Sequence, residues 1–430
     1  MKKTFSICLF ALLVGSVVTN RSHGQSIVLK SDETRLTSEY NWLPYAFYTK
    51  SLGLTFGVGG GKTAFPQEQS SVLGTLAFGT KGTYFFAGGV TDLRVPGTKR
   101  LFLDFMFSSG YYVDDTIYIN GNPEFRNERA GSNESSKENF VEETFWDSWA
   151  ELRFFYLLPF GHGKDTIINK YAINNGILKS GATGGDSWNP LKSGKTYLHV
   201  TPAWRNQTLD LDSNITGDTL NVKVGLEYNN FDFPFNPSKG SKQEVYYTHD
   251  FSNNKRIGEW EMYEFEYSKI FNINTVPGSK QQGIAVDFWT AYVPTWETEE
   301  INGVEVITKR PPYYEGATLG GFYRMRAYEG NRFHDKASIY GSVEYRIIPE
   351  WQPLLSNPIL KYFELDWMQL AFFAEAGRVA PEWDIEELMT DLKFDAGVGL
   401  RAMLMKSVFR LDLSVGEEGS RVVAMYGQAF

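Results

Sequence analysis

Many segments of the chain alternate between apolar and polar side chains, which is the period of a β-strand rather than that of a helix. In residues 408–415 every second side chain is apolar, and the side chains between them are Arg410, Asp412 and Ser414. A soluble β-sandwich would bury the apolar face, whereas a membrane β-barrel would turn it towards lipid. One strand does not distinguish these two folds.

Charged side chains recur on the second face of strand after strand. Asp104 lies within the apolar row of residues 101–107. Glu264 and Glu266 alternate with aromatic residues, and Asp287 interrupts a third apolar row. In a sandwich this face would be solvent surface, whereas in a barrel it lines a watery lumen. Segments of about 9–12 residues fit tilted strands that cross a bilayer, so we favour an all-β, transmembrane antiparallel barrel.

The pattern predicts fifteen strands. They lie near residues 51–61, 70–80, 82–92, 99–109, 144–157, 195–206, 220–229, 240–250, 259–270, 282–293, 337–347, 367–377, 393–404, 406–416 and 421–430. Most bacterial barrels close with an even number of strands. We therefore predict sixteen strands and expect the missing one within 111–143 or 159–194.

The connectors between these strands differ in length. The turn at 80–82 is tight, whereas the segments 110–143, 158–194 and 294–336 are long and polar. Outer-membrane barrels have short turns on one side and long extracellular loops on the other. We therefore expect the long segments to share one side of the barrel.

The first residues resemble an export signal. Lys2 and Lys3 precede an apolar run at 5–18, and small residues follow at 22–24. The run is too short to span a bilayer as a stable helix. We expect a signal peptide at 1–24, with cleavage after Gly24.

The rest of the chain divides into a short segment and one barrel. Residues 25–50 are expected to form a short periplasmic segment, and residues 51–430 the outer-membrane barrel. We therefore expect no periplasmic domain ahead of the barrel. The only cysteine, Cys8, belongs to the predicted signal, so the exported chain is expected to contain no disulfide.

The charge balance argues against nucleic-acid binding. The chain has 42 basic and 51 acidic side chains, a net charge of −9. Removal of the predicted signal takes away three basic residues, which leaves 39 against 51 and a net charge of −12. A general nucleic-acid binder would carry a basic surface instead. Aromatic residues make up 16% of the chain and glycines number 41, which fits a barrel in the outer membrane.

No cofactor or metal site is expected. The histidines are scattered, and the calcium-like composition at 210–218 lacks the glycine and glutamate that a calcium-binding loop requires. For an outer-membrane lipase, His249 beside Asp250 would be the best candidate. No Gly-x-Ser-x-Gly motif accompanies it, so we expect no catalytic residues and no enzyme.

One segment fits neither a helix nor a strand. Residues 320–333 contain three arginines, four aromatic residues and three glycines. Within it, Met325, Arg326, Ala327 and Tyr328 resemble the Val-Arg-Gly-Phe/Tyr loop motif of the BamA/TamA superfamily, the bacterial surface antigen family. Ala327 replaces the glycine of that motif.

Three further segments agree with the same family. Residues 225–240 resemble its strand and following turn, residues 342–346 its strand after the loop, and residues 372–377 its inward-facing strand. Glu375 stands in the last of these where the family usually has aspartate. The resemblance implies that the loop at 294–336 folds from the extracellular side into the lumen. Without it, a surface loop with solvated arginines would be the expected arrangement.

The resemblance and simple electrostatics together suggest a partner for the loop. An arginine inside a barrel needs a carboxylate where water is limited. We expect Arg326 to pair with Glu375 in the first place and with Glu344 in the second.

The resemblance also implies a seam between the first and last strands that opens laterally. Here the seam would join 51–61 to 421–430. We assign Gly57, Gly59, Gly60 and Phe430 to it, because glycine adds no cross-strand packing.

The same resemblance implies that the chain inserts outer-membrane proteins or translocates a polypeptide or lipid. The implied partners are outer-membrane lipids, a client outer-membrane protein or secreted polypeptide, and a separate periplasmic or surface partner. The alternative is a non-catalytic plugged pore or structural barrel that has kept the loop.

Overall fold

A computed structural model describes residues 26–31, 40–49, 52–209, 216–251, 258–273, 276–301 and 304–430. The signal peptide predicted at 1–24 lies outside these residues. In the described part of the chain, no helix has the length and apolarity needed to span a bilayer.

The described residues form 23 strands, numbered along the chain. These are β1 Ile27–Ser31, β2 Tyr40–Thr49, β3 Gly53–Thr63, β4 Ser71–Gly79, β5 Tyr84–Arg94, β6 Leu101–Ile117, β7 Val141–Leu157, β8 Asn169–Asn174, β9 Ile177–Ser180, β10 Lys195–Leu209, β11 Thr216–Asn229, β12 Gly240–Asp250, β13 Glu261–Asn272, β14 Ser279–Tyr292, β15 Glu297–Ile301, β16 Val304–Thr308, β17 Ala317–Leu319, β18 Phe333–Asp335, β19 Ala337–Pro349, β20 Trp367–Ala380, β21 Lys393–Leu404, β22 Ser407–Gly416 and β23 Gly419–Tyr426.

Helical structure among these residues is short. It comprises α1 Pro358–Tyr362, α2 Ile385–Leu388, and single 3₁₀ turns at Pro123–Phe125, Gly161–Lys164 and Pro353–Ser356.

Sixteen strands form one antiparallel sheet, as predicted. Its order is β2 to β7, then β10 to β14, then β19 to β23, and each strand pairs with its neighbour in this sequence. The sixteenth strand is β2, so the predicted positions within 111–143 and 159–194 are wrong. The barrel also begins within the segment that the sequence had assigned to the periplasm. Tyr40–Thr49 contains Pro44 and a nearly continuous apolar run, so it lacks the alternation that revealed the other strands.

The two faces of the sheet are chemically opposite. On β20, Leu370 and Phe372 point outward and are exposed, whereas Gln369 and Glu375 point inward and are buried. Exposed apolar side chains recur around the outside, among them Phe56, Leu76, Phe86, Phe105, Val200, Leu226, Val245, Phe265, Val343, Val398, Leu413 and Val422. A soluble protein does not expose so continuous an apolar surface. The apolar face therefore suits lipid and the polar face a lumen, which is the arrangement of a membrane barrel.

Because the strand number is even, β2 begins and β23 ends at the same end of the barrel, which we call the terminal end. The opposite, distal end carries the connectors 118–140, 293–336 and 381–392. Residues 158–194 follow β7 directly and lie at the terminal end. The expectation that the three long segments share one side is thus wrong, because connectors on either side of one strand lie at opposite ends.

A small sheet closes the terminal end. Strand β1 pairs in parallel with β8, which pairs with β9. We call this three-stranded sheet the terminal cap. It packs within an apolar cluster that includes Tyr171, Phe233, Trp367 and Met403. The indole nitrogen of Trp367 donates to the carbonyl of Gly176 at 3.0 Å.

Candidate functional site

The connector between β14 and β19 turns into the lumen. Strands β15 and β16 form a hairpin, and β17 pairs with β18 further along. Residues 320–332, between β17 and β18, form the tip of this loop. The side chains of Met325, Arg326 and Tyr328 at the tip are almost fully buried. Because a charged side chain is buried among them, its hydrogen-bond partners decide what holds the tip.

The guanidinium of Arg326 contacts three strands at once. Its Nε donates to Glu375 at 3.0 Å, its Nη1 to Asp412 at 2.7 Å, and its Nη2 to Glu344 at 2.9 Å. Its backbone N–H donates to the second oxygen of Glu375 at 2.7 Å. All four side chains are 0% exposed. Such a planar fork needs an arginine, because a lysine offers a point charge with no fixed fork.

The carboxylates around Arg326 are shared with arginines of the wall. Arg346 and Arg401 donate to Glu344 at 2.7 and 2.9 Å, and Arg410 donates to Asp412 at 3.0 Å. The backbone N–H of Ala327 donates to Asp395 at 3.0 Å. The tip therefore completes a buried network of four arginines and four carboxylates. We call this network the arginine clamp; its members are Arg326, Arg346, Arg401, Arg410, Glu344, Glu375, Asp395 and Asp412.

The turn at the tip has its left-handed residue at Met325, where φ is 55°. The hydrogen bond from the N–H of Tyr328 to the carbonyl of Met325 closes the turn at 3.0 Å. Ala327 is not among the residues with positive φ. Alanine in place of the family glycine therefore causes no backbone strain at this position. Gly320 has φ of 102°, and a Cβ there would lie 2.1 Å from the carbonyl oxygen of Glu329.

Tyr328 fixes the tip to the last strands of the barrel. Its hydroxyl donates to the carbonyl of Phe394 at 3.1 Å, and its ring packs against Phe333. Its own carbonyl accepts from Arg421 of β23 at 3.0 Å. The aromatic side chain thus anchors the tip beside the edge of the sheet.

The other two arginines of the tip point to other parts of the barrel. Arg324 donates to Glu266 of β13 at 3.0 Å and lies over the ring of Trp289. Arg332 donates to Glu418 and to Ser135 at 3.0 and 2.9 Å. A single loop therefore contacts strands from widely separated parts of the sheet, so the sheet curves around it.

The connector 118–140 covers the base of the loop. The N–H of His334 donates to the carbonyl of Gly131 at 2.7 Å, and its ring Nε2 lies 2.7 Å from the carbonyl of Tyr118. Arg129 forms an ion pair with Asp335. Burial lowers the pKa of His334 to about 3, so this imidazole is neutral at physiological pH.

The seam assignment of the glycines needs correction. Gly57, Gly59 and Gly60 lie on β3, which pairs with β2 on one side and with β4 on the other. They are therefore not at an edge. Gly57 lets the ring of Tyr45 cross the strand, since a Cβ there would lie 2.2 Å from that ring. The tyrosine hydroxyl reaches Thr75 at 2.6 Å.

Phe430 is not at the seam either. Strand β23 ends at Tyr426, and Gly427, with φ of 83°, turns the chain out of the sheet. Phe430 is buried against Phe231 and Ile270, and the guanidinium of Arg346 lies 4.9 Å from its ring. The C-terminal residues thus turn into the lumen, where the sequence had suggested a continued edge strand.

The edges of the sheet are β2 and β23. Among the described residues, each strand from β2 to β23 pairs with the next in the order of the sheet, and no ladder joins β23 back to β2. Arg421 on β23 also binds the loop tip through the carbonyls of Gly321 and Tyr328. The clamp and the open edge are therefore neighbours.

A cavity of about 140 Å³ remains in the lumen beside the loop, along β7 to β14. Lys223 forms an ion pair with Glu264 at 2.6 Å, and the imidazole Nε2 of His199 lies 3.2 Å from a carboxylate oxygen of Glu227. Arg153 pairs with Glu151 on the same wall. The lining holds five glutamates against one arginine, one lysine and one histidine, so acidic groups predominate on the cavity wall. Lys242 and Arg324 pair with two of these glutamates, Glu244 and Glu266.

The other sequence candidates do not assemble into a site. His249 lies 3.4 Å from Glu261 and packs against Phe251, which is not a triad arrangement. Residues 210–215 of the calcium-like segment lie outside the described part of the chain. Among the described residues, no cluster of three His, Cys, Asp or Glu is placed to hold a metal.

Similar solved structures include CdiB from Escherichia coli, which is 12% identical over 90% of this chain and 62% of its own, with a TM-score of 0.53. CdiB from Acinetobacter baumannii is 9% identical over 90% of this chain and 59% of its own, with a TM-score of 0.49. BamA from Haemophilus ducreyi lacking POTRA domains 1–3 is 12% identical over 90% and 69%, with a TM-score of 0.45. No family model and no curated protein sequence matches this chain.

This chain spans about three fifths of the length of the two CdiB structures. At such low identity, the likeness to CdiB from Escherichia coli shows the fold. The predicted fold is confirmed: the chain is a sixteen-stranded β-barrel with a loop in its lumen, and its fold is that of integral outer-membrane proteins.

Proposed function

We propose that this barrel inserts outer-membrane proteins or translocates a polypeptide, and that the client engages the edge between β2 and β23. The observation that carries the proposal is the absence of a ladder between these two strands in the described residues. Edge strands present unpaired N–H and C=O groups that can pair with another extended chain. Such an edge inside a membrane is costly, because lipid offers no hydrogen bonds, so a client strand would be a favourable occupant.

The arginine clamp supports this role by fixing the plug. The clamp binds the tip to β19, β20 and β22, and Arg421 binds it to β23. The loop can therefore obstruct the lumen while the edge beside it is free to receive a client. Outer-membrane lipids would surround the apolar outward face of the barrel. A separate periplasmic partner would deliver the client to the terminal end.

Site-specific photo-cross-linking tests the proposal. A photoreactive residue replaces Val422 on the edge strand β23, and a matched variant replaces Val343 on the interior strand β19. The two side chains are 59% and 52% exposed on the lipid face. We expect polypeptide adducts at Val422 in cells that make outer-membrane proteins, and only lipid adducts at Val343.

Two results would count against client engagement at the edge. Equal polypeptide capture at both positions would mean that the adducts form by random contact. A folded barrel with no polypeptide adduct at Val422 would favour the second candidate function, a plugged pore.

The plugged pore is favoured by one observation, the polar cavity beside the loop. A variant that lacks both the tip residues 322–331 and the cap strand β1 should then conduct small solutes in planar bilayers, because the lumen loses the loop tip and one strand of the terminal cap. Conductance equal to that of the intact barrel would contradict the pore.

A further inference from the structure

The connector between β19 and β20, residues 350–366, is rich in apolar side chains that the protein does not bury. Trp351, Ile359 and Tyr362 are 77%, 64% and 81% exposed. Neither the 3₁₀ turn at Pro353–Ser356 nor helix α1 contains a buried residue. A soluble surface rarely concentrates this much exposed apolar area without a binding role.

The connector is well ordered by polar contacts. Asn357 caps α1, and its side chain accepts from the N–H groups of Ile359 and Leu360 at 3.0 and 3.2 Å. The side-chain oxygen of Gln352 accepts from the N–H of Met368 on β20 at 2.8 Å, and its side-chain nitrogen donates to the carbonyl of Met368 at 2.9 Å. The exposed apolar side chains are therefore held in place by defined hydrogen bonds.

The connector continues the lipid-facing surface of the barrel. Side chains alternate along β19, so Val343, Tyr345, Ile347 and Pro349 share the outward face, and Trp351 follows at the next position of the same parity. On β20 the matching outward positions begin at Met368. The ten residue-to-residue steps from Gly341 to Trp351 span roughly 34 Å, or about 25 Å of height at the tilt of a barrel strand.

Ala337 and Ile339, the earlier positions of the same face, are buried in a cluster with Leu388, so the exposed part of this face begins at Gly341. The height from there to Trp351 matches that of the apolar band of outer-membrane barrels, which places Trp351 near one boundary of the band. Tryptophan and tyrosine are enriched at this level, because one end of the ring is apolar and the other can hydrogen-bond. Lys361 on α1 can extend its charged end into the headgroup layer. Lipid is therefore a better match than water for this surface.

We infer that residues 351–363 form a membrane-interface anchor, in which Trp351, Ile359 and Tyr362 insert into the headgroup region of the leaflet at the terminal end. The anchor requires that the barrel lie in a bilayer, but it does not require that the barrel handle clients. It would fix the height of β19 and β20, which carry Glu344 and Glu375 of the clamp.

Single cysteines allow a direct test, because Cys8 is the only cysteine of the whole chain and belongs to the predicted signal. Ile359→Cys is labelled with a polarity-sensitive fluorophore and reconstituted into phosphatidylglycerol–phosphatidylethanolamine vesicles that contain a lipid spin-labelled near its headgroup. Val343→Cys in the apolar belt is the positive control. Lys164→Cys, exposed at the same end, is the aqueous control.

We expect the shallow lipid quencher to reduce the fluorescence at Ile359 far more than at Lys164, with the label at Ile359 protected from aqueous iodide. Quenching by iodide equal to that at Lys164 would overturn the anchor and leave a protein partner as the occupant of this surface. Tyr362→Cys repeats the test if the first variant fails to fold. A label at Val343 that behaves as aqueous would instead contradict the membrane placement of the whole barrel.

Discussion

The same four wall strands, β19 to β22, hold two closures of the lumen by opposite chemistry. Near the distal end their inward face binds the loop tip through Glu344, Glu375, Asp395 and Asp412. Near the terminal end it turns apolar and packs with the terminal cap. The inward residues there are Ile348, Trp367, Met403 and Val408.

The two chemistries differ in what they specify. A buried charge network has one arrangement that satisfies its donors and acceptors, and removal of one member leaves others unpaired. An apolar cluster needs only the right volume and tolerates conservative exchange. We interpret the clamp as the element that sets the position of the loop, and the cap as a closure held mainly by apolar packing, with the N–H of Ile27 donating to Asp92 at 3.1 Å.

The largest expected effect comes from Arg326→Ala. The substitution leaves Glu344, Glu375 and Asp412 with one buried partner fewer, so we expect a loss of about 3–5 kcal/mol in the free energy of unfolding. Urea unfolding in lipid vesicles, followed by heat-modifiable gel mobility, measures it. A loss below about 1 kcal/mol would mean that the clamp is solvated and does not hold the loop.

A pair of conservative substitutions sharpens the comparison between the closures. Arg326→Lys keeps the charge but loses the planar fork. We therefore expect it to lower the free energy of unfolding by more than Met403→Leu, which conserves volume in the cap cluster. The cap variant should lose less than about 1.5 kcal/mol. The same unfolding assay applies to both, and a reversed order would contradict the assignment of the two chemistries.

The third prediction concerns pH at the distal half of the loop. Burial raises the pKa of Glu315 to about 7, although Arg205 nearby opposes the shift. This folded pKa exceeds the unfolded value of 4.5. The contribution of Glu315 to the free energy of unfolding is therefore fully present below pH 4.5 and is lost as pH rises through 7.

Glu315→Gln should remove this dependence. We expect the variant to gain stability relative to the wild type between pH 5 and pH 8, by on the order of 1–3 kcal/mol. His334 acts in the opposite sense, because its lowered pKa costs stability as pH falls below 6.5. Because both the wild type and the Glu315→Gln variant keep His334, its effect cancels in the comparison. Parallel pH profiles of the free energy of unfolding for the two proteins would refute the role of Glu315.

The smallest effect is expected for Ala327→Gly, which restores the family motif. Since the left-handed residue is Met325, glycine relieves no strain and only adds freedom to the unfolded chain. We expect a loss of about 0.4–1 kcal/mol by urea unfolding. A gain in stability would place the left-handed residue at position 327 instead.

Alternation along the chain was sufficient to predict the barrel and most of its strands, because lipid and lumen impose opposite chemistry on successive side chains. It failed for β2, where Pro44 and neighbouring apolar residues obscure the alternation. Charge and the family motif led to Arg326, Glu375 and Glu344 as candidate partners. Alternation placed Asp412 and Arg410 on a polar face but did not predict which atoms of the loop they contact.

The terminal cap could not be predicted for a different reason. Its strands β1 and β8 are short and far apart in the chain, and residues 169–180 resemble a polar loop in isolation. The inward turn of Phe430 depends on the single left-handed residue Gly427, whose φ a sequence does not state.

The position of the loop tip is the central claim, and a disulfide tests it most directly. A Cβ built on Gly416 of β22 lies 3.1 Å from that of Ala327, and a shift of a few tenths of an ångström brings the pair to the roughly 3.5–4.5 Å of a disulfide. Ala327→Cys with Gly416→Cys should therefore cross-link spontaneously in native outer membranes, whereas Ala327→Cys with Gly74→Cys on β4 should not. A folded Gly416 variant that remains reduced under oxidising conditions would contradict a tip held inside the barrel against this wall.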